Sequence, residues 1–423
     1  MTVRTILRNA NVLTGDTHLG KANVVIEGNR IASVGDAPVK MRPGDRVIDV
    51  SGKTVMPGLV TSHYHASYWN IGGSPLPFGL EVPPALHVAH AIHNLGVTLD
   101  CGFTSAISAG APYAIDASMK LAMDEGVVRG PRLVACGNDL SSTGHSNDMT
   151  HPWFYELGNP GSIRRCDSPG EYRKGVRAEV KAGSEMIKLF VTGGHGVASP
   201  KERMEMSKKE LKAAIDTARE RGVGTRGHIA NKDTILLALK LGMDIIDHGD
   251  GFDEECIEAM VGTSQSLVPS IFFPKQVLEN WDISTKAQMQ ADFDEMAAII
   301  PKANAAGVRI LLGDDYGAIG VPHGRYAEEL ALYVAIGISP IDVIRWGTKY
   351  GAEAMNRGDE LGTLEAGKLA DLLVVDGDPL KDIALCATPD KLLAIVKDGV
   401  FIKDKLSEGA GNARSERQLE MAK

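Results

Sequence analysis

Short apolar runs alternate with amphipathic stretches from Pro57 to about Met355, and this alternation constrains the fold more than any other feature. It predicts parallel strands joined by helical crossovers. Eight such units over about 300 residues favour a (β/α)8 TIM barrel. A doubly wound sheet is the alternative, but no Gly-x-Gly-x-x-Gly follows a strand to support it. The predicted strands are residues 59–65, 103–108, 132–136, 186–192, 224–228, 245–248, 267–271 and 308–314.

The two ends of the chain consist instead of short β-like runs separated by Gly and Asn turns. Four N-terminal runs predict a small antiparallel sheet, which needs partner strands because it cannot bury both faces alone. The apolar runs after Met355 are the expected partners. The predicted fold class is therefore α/β, with a (β/α)8 barrel at residues 57–358 and a small β-sandwich domain built from residues 1–56 and 359–405. A polar tail follows at residues 406–423.

The composition is that of an ordinary globular protein, with 43% hydrophobic and 23% charged residues. A net charge of -9 argues against nucleic-acid and membrane partners. The five cysteines are widely spaced and form no CxxC, which predicts buried thiols in a reducing compartment. No signal pattern and no run of about 18 apolar residues is found, so we expect a cytoplasmic protein.

Six residues able to bind a metal stand at or near the ends of predicted strands, where a barrel carries its chemistry. His63 and His65 point to one face of the first strand because side chains alternate along a strand. Two such imidazoles form half of a zinc-type site. The other four candidates are Lys188, His228, His248 and Asp315.

Lys188 lies between Ile187 and Leu189 in a predicted strand, where an unpaired ammonium group is costly to bury. Carboxylation by CO2 would convert its amine into an anionic carbamate that bridges two divalent ions. The alternative is a lysine that pairs with a carboxylate at the mouth of the barrel. The neighbouring histidines and aspartate favour the carbamate.

Several motifs relate this sequence to a known family. They are residues 57–65 at the first strand, 362–372 and 376–379 near the C-terminus, 143–145, 186–188, 192–194 and 323–324. Together they resemble the binuclear metal-dependent amidohydrolase superfamily, in its Xaa-Pro dipeptidase, imidazolonepropionase and ochratoxinase-like branch. The resemblance extends over nearly the whole chain, to about Lys403, and it implies a homo-oligomer as the default.

The resemblance also implies a ligand set. Two divalent ions are expected, Zn²⁺ first, although manganese and cobalt accept the same donors. The more buried ion would be bound by His63, His65 and Asp315, the other by His228 and His248, with carbamylated Lys188 as the bridge. Thr61 replaces an aspartate of the superfamily pattern, which can alter how the histidine pair is oriented. Asp314 replaces a small or hydroxyl residue, and we expect it to cap the loop, the alternative being added charge at the site.

Such a centre lowers the pKa of a shared water, and Asp315 would take its proton and pass it to the leaving amine. His145 is the candidate donor to the substrate carbonyl, the alternative being a loop histidine that holds backbone. Aromatic side chains near the strand ends are expected to line an apolar pocket, and a cation to meet a substrate carboxylate. These further candidates are Tyr68, Trp69, His195, Phe272, Phe273, Tyr316, His323 and Arg325.

The predicted function is metal-dependent hydrolysis of a C–N amide bond in an N-acyl amino acid or a dipeptide-like substrate, aromatic ones included. A cyclic-amide or lactone hydrolase or a deaminase of the same superfamily is the alternative. Mononuclear deaminases lack the bridging lysine, so Lys188 counts against them. A catalytically silent scaffold is the remote alternative, disfavoured because every expected ligand is present.

Overall fold

The computed structural model describes residues 4–72, 82–145, 148, 163–197 and 199–406. The predicted polar tail lies outside these residues, apart from Leu406. Two compact units are found, one of residues up to Val60, Leu99–Thr104 and from Ser339 onward, the other of Thr61–Thr98 and Ser105–Ile338. These bounds differ from the predicted domains, which stay a prediction.

Both chain ends contribute strands to one eight-stranded sheet, as expected. The strands are β1 (Arg4–Leu13), β2 (His18–Glu27), β3 (Arg30–Gly35), β4 (Arg46–Asp49), β5 (Thr54–Pro57), β16 (Leu372–Val375), β17 (Leu392–Lys397) and β18 (Val400–Asp404). Their order is β18-β17-β16-β5-β1-β2-β3, with β4 also beside β1. The core of this sheet includes Val12, Val55 and Val374, all fully buried.

The prediction that the four N-terminal runs form an antiparallel sheet was wrong for the fourth run, because β4 runs parallel to β1. β5, which was not among the four runs, also runs parallel to β1. The chain forms the antiparallel meander β1-β2-β3 and then returns through residues 36–45 before it pairs with β1 again. A connection of this length lets β4 run parallel to β1, whereas a tight hairpin after β3 would have made it antiparallel.

The remaining ten strands pair in parallel wherever a register is defined, which gives the TIM-barrel type of fold. They are β6 (Leu59–Tyr64), β7 (Phe103–Ser108), β8 (Arg132–Val134), β9 (Asp139–Ser141), β10 (Ile163–Arg165), β11 (Met186–Phe190), β12 (Gly224–Ile229), β13 (Ile245–His248), β14 (Ser266–Val268) and β15 (Arg309–Ile310). They form two sheets, β6-β7-β8 and β10-β9-β11-β12-β13-β14-β15. Backbone hydrogen bonds from Ser62 to Leu312 (2.6 Å) and from Met186 to Ala135 (3.1 Å) link them.

All eight predicted barrel strands are present, but several are shorter than predicted and β9 and β10 were not predicted. The last predicted strand is regular only at Arg309–Ile310, since the residues after it bend into a loop that carries acidic side chains. The sequence pattern marked the apolar run but could not show where regular pairing stops.

The helices lie largely between these strands. They are α1 (Pro84–Asp100), α2 (Ile115–Asp124), α3 (Pro169–Ala182), α4 (Lys208–Glu220), α5 (Lys232–Leu241), α6 (Glu254–Met260), α7 (Phe272–Asn280), α8 (Lys286–Ala306), α9 (Tyr326–Ala335), α10 (Pro340–Arg345) and α11 (Gly351–Ala354). Ser207 and Glu210 form a capping box at the start of α4, because each side chain accepts a hydrogen bond from the backbone N–H of the other. No helix among the described residues is long and apolar enough to cross a membrane.

Candidate metal centre

Three predicted ligands meet where β6 ends and in the loop that follows β15. The Nε2 atoms of His63 and His65 lie 3.2 Å apart. Oδ1 of Asp315 lies 3.0 Å from Nε2 of His63 and 3.5 Å from Nε2 of His65. Two imidazole nitrogens and a carboxylate oxygen at such separations are a donor set suited to a zinc-type ion. The structure therefore has a His/His/Asp cluster able to bind a metal.

The rings of this cluster are oriented through their other nitrogen. His65 Nδ1 donates to the carbonyl of Gly110 at 2.9 Å, and His63 Nδ1 lies 3.2 Å from Oδ1 of Asp247. Bonds of this kind fix the tautomer and direct Nε2 at the metal. Burial lowers the pKa of His65 to about 4, so its ring is neutral, as a ligand must be.

Asp314 holds the loop that presents Asp315. Its two carboxylate oxygens accept hydrogen bonds from the backbone N–H groups of Phe272 (2.8 Å) and Phe273 (3.1 Å) at the start of α7. Glu329 accepts from the N–H of Gly313 and the hydroxyl of Tyr316, each at 2.8 Å. Asp314 thus caps a helix and a loop, in agreement with the expected role.

His248 and Asp315 form a second group with His195. The ring of His195 stacks on that of His248 with centroids 3.9 Å apart, and its Nδ1 lies 3.0 Å from Oδ1 of Asp250. His228 lies beside His248, with ring centroids 4.5 Å apart, and its Nε2 donates to the carbonyl of Gly194 at 3.1 Å. The assignment of His228 as a ligand of the second ion therefore stays a prediction.

Lys188 is paired with a carboxylate. Its Nζ lies 2.6 Å from Oδ2 of Asp247, and the same carboxylate pairs with the guanidinium group of Arg226. All three side chains are buried. This ion pair is the alternative to the carbamate that the sequence left open. The carbamate itself remains a proposal.

Arg226 and Asp247 were missed by the sequence analysis. Both are charged residues inside short apolar strands, β12 and β13, and the argument applied to Lys188 would have singled them out. Burial works against the charge of Asp247, but Arg226 and Lys188 lower its pKa well below the usual range. The site thus rests on a buried anion held by two cations and His63.

His145 is buried, and neither of its ring nitrogens has a hydrogen-bond partner among the described residues. Its Nδ1 lies 3.8 Å from Oε1 of Glu205. The ring contacts Phe190 edge-on at 6.3 Å, and Phe190 in turn stacks on His228 at 4.9 Å. His145 is thus connected through Phe190 to His228, a predicted ligand of the second ion.

The aromatic residues predicted to contact the substrate differ in their packing and in their exposure to solvent. Tyr68 stacks on His65 at 3.9 Å, Trp69 is 49% exposed, and Tyr316 is fully buried. The guanidinium group of Arg325 lies 5.2 Å from the ring centre of Phe272. Of the rings predicted to form an apolar pocket, Tyr68, Phe272 and Tyr316 thus pack against other side chains, whereas Trp69 is largely exposed.

His323 and Arg325, the predicted contacts for a substrate carboxylate, have partners within the protein. His323 Nδ1 lies 2.8 Å from the hydroxyl of Tyr326, and its Nε2 lies 3.2 Å from the carbonyl of His65. Arg325 donates to Oε1 of Glu328 at 2.6 Å and to the carbonyl of Gly320 at 2.7 Å. A substrate carboxylate would have to replace these partners, so both roles stay predictions.

A cavity of about 600 Å³ adjoins the second group of side chains. His195 and Asp250 form one side of it, and apolar residues of α7 and α8 form much of the rest. Among the predicted substrate contacts, His195 and Phe273 line this cavity. Its size falls in the range of small-molecule sites.

Comparison with known proteins gives consistent matches over almost the whole chain. The sequence pattern of the Amidohydrolase family matches residues 54–402. Ochratoxinase of Aspergillus niger is 28% identical over 435 residues, which cover 94% of this chain and 86% of that protein. A prolidase crystallised with N-methylphosphonate-L-proline is 28% identical with a TM-score of 0.85, covering 95% of this chain and 100% of its own. A Xaa-Pro dipeptidase with bound methionine is 26% identical, also with a TM-score of 0.85 and the same coverage.

Proposed function

Because the chain belongs to the amidohydrolase family and is a hydrolase of carbon–nitrogen bonds, we propose that it hydrolyses the amide bond of N-acyl amino acids or dipeptides. The observation that carries this proposal is the convergence of His63 and His65, where β6 ends, with Asp315 from the loop after β15. A prolidase and a Xaa-Pro dipeptidase among the relatives support a substrate with an amino acid on the amine side.

The metal centre is proposed to be binuclear, with Zn²⁺ as the expected ion. When bound, the two ions supply a hydroxide nucleophile near neutral pH and polarise the substrate carbonyl. The more buried ion would be held by His63, His65 and Asp315, and the other by His228 and His248. Lys188 would bridge them as a carbamate. Its ammonium group would first leave Asp247 and give up a proton to solvent, and the neutral amine would then attack CO2 with loss of a second proton to solvent.

Two side chains of this centre have proposed roles in the reaction. Asp315 accepts the proton released as the nucleophile attacks and delivers it to the nitrogen of the leaving amine. His145 donates a hydrogen bond to the carbonyl oxygen, on which negative charge develops. The burial of its ring against Phe190, which in turn stacks on His228, supports this role.

We also propose a barrel closure, a small domain, a cellular location and an oligomeric state for the protein. The hydrogen bonds that link the two parallel sheets, from Ser62 to Leu312 and from Met186 to Ala135, support a closed barrel. The sheet to which both chain ends contribute supports the small β-sandwich domain of residues 1–56 and 359–405. The five buried free thiols support a reducing, cytoplasmic location. A homo-oligomer without nucleic-acid or membrane partners is the remaining proposal.

Elemental analysis of metal per chain, on the wild type and on Lys188→Ala, tests the proposal first. We expect about two divalent ions in the wild type and a sharp fall in the variant. Lys212→Ala, in an exposed ion pair with Asp216, is the matched control and should retain both ions. The wild type should also release free amino acid from N-acyl amino acids or dipeptides. One ion or fewer, unchanged in Lys188→Ala, would overturn the binuclear mechanism and favour mononuclear deaminase or lactonase chemistry.

A further inference from the structure

We propose that the cavity beside His195 binds the acyl side of the substrate and selects bulky apolar acyl groups without negative charge, with His195 as a positioning residue. This inference rests on the proposed function, because it assigns one side of the scissile amide to the cavity.

The walls of the cavity favour an apolar group. The cavity is lined by Phe273 and Val277 of α7 and by Met289, Phe293 and Met296 of α8. A volume of about 600 Å³ is far more than an acetyl group fills. An aromatic or branched acyl group would remove these apolar side chains from water, which favours its binding.

The charges of the cavity disfavour a carboxylate. Its basic lining residues, among those that the structure describes, are Lys201 and His195, and each already pairs with an acid, Asp292 and Asp250 respectively. Glu202 adds another negative charge to the lining. Because the amino acid released from an N-acyl amino acid bears a carboxylate, that end of the substrate belongs outside the cavity and the acyl group belongs inside.

His195 lies where the cavity meets the metal centre. Its side chain is 3% exposed, its Nδ1 is held by the buried carboxylate of Asp250 at 3.0 Å, and its ring stacks on His248. No residue in the described part of the chain bonds its Nε2. The backbone of His195 has a φ of 45°, an uncommon value for a residue with a side chain. A buried nitrogen held in this way and left without a partner points to a polar atom of the substrate beside the acyl group.

Three substrates with the same amino acid and different acyl groups test the pocket. For the wild type we expect kcat/KM to rise about tenfold from acetyl to benzoyl and to fall by a similar factor from acetyl to succinyl, which carries a negative charge. Met289→Trp narrows the cavity and should lower the ratio of kcat/KM for benzoyl to that for acetyl from about ten to about one. Met41→Trp, at an exposed position, is the matched control. Hydrolysis of all three substrates at equal rates would overturn the inference alone, whereas hydrolysis of none would overturn the proposed function and this inference with it.

His195→Gln tests the positioning role, with metal content as a readout besides activity. We expect KM for the benzoyl substrate to rise about tenfold with little change in kcat, and the metal per chain to equal that of the wild type. His18→Gln, at an exposed histidine, is the control. Loss of metal from His195→Gln would make His195 a ligand and overturn its role as a positioning residue, and an unchanged KM would do the same.

Discussion

Nζ of Lys188 lies 2.6 Å from Oδ2 of Asp247, and neither side chain is more than 1% exposed. Asp247 also accepts a hydrogen bond from Nε of Arg226 at 3.0 Å, so that one carboxylate serves two cations. Burying charges is costly unless they are paired and hydrogen-bonded, as these are. If Lys188 becomes a carbamate, Arg226 is left as the partner that keeps Asp247 neutralised.

Metal loading should therefore depend on CO2. After removal of metal by a chelator, we expect Zn²⁺ to rebind fully only in the presence of bicarbonate, because the Lys188 amine must leave Asp247 and be carboxylated before it can bridge. Metal per chain, measured after reconstitution with and without bicarbonate, checks this. Complete reloading in CO2-free buffer would contradict it.

Arg226→Met should destabilise the fold strongly. It leaves Asp247 with Lys188 and His63 as its partners in a fully buried site, and breaking such a network typically costs about 3–5 kcal/mol. Asp216→Asn, which breaks the exposed pair with Lys212, should cost about 0.3–0.5 kcal/mol. Chemical denaturation of both variants gives the comparison, and equal losses would show that Arg226 is not needed to balance the buried charge.

Gly313→Ala should disrupt the centre through backbone contact. A Cβ at this position would lie 2.1 Å from the backbone nitrogen of His63, and the φ of 148° also disfavours a side chain. We expect loss of bound metal together with a lower melting temperature. Gly307→Ala has a similarly unfavourable φ, 90°, but no atom within 4 Å, so it should lose about 1–2 kcal/mol of stability and keep its metal. Full metal content in Gly313→Ala would contradict the predicted clash.

Asp16 should make stability fall in acid. Lys349 and then Arg345 hold its pKa below the ordinary value of 3.8, so its ionised form stabilises the folded state above about pH 4 and that stability is lost as the pH falls through the lower folded pKa. Because Asp16 is partly exposed, Asp16→Asn should cost no more than about 1 kcal/mol at pH 7. The melting temperatures of both proteins should converge as the pH falls below the lowered pKa of Asp16. A constant difference between them across this range would contradict the assignment.

The five cysteines should be unreactive in the folded protein. All are free and buried, and burial raises the pKa of Cys101, Cys256 and Cys386 to about 12. A thiol-specific reagent at pH 8 should label almost none of them, because the thiolate is the reactive form. The same protein unfolded in guanidinium should give five thiols per chain. Rapid labelling without denaturant would contradict the burial.

Local patterns of the sequence determined much of the fold and the types of residue at the site. The bounds of β7 and β13 were predicted without error, and the capping box at Ser207 was recognised, because strand periodicity and helix caps depend on residues close along the chain. The buried state of the five cysteines followed from composition and spacing. His63 and His65 were placed on one face by the alternation of side chains alone.

Only the tertiary structure decided which partners these residues have. Lys188 and Asp247 are 59 residues apart in the chain, and His195 and Asp250 are 55 apart, so no local pattern joins them. The parallel direction of β4 and the cavity between α7 and α8 likewise depend on how distant segments pack. The physical reason is that periodicity fixes the face on which a side chain lies, whereas pairing energy depends on distances that exist only after the strands have assembled.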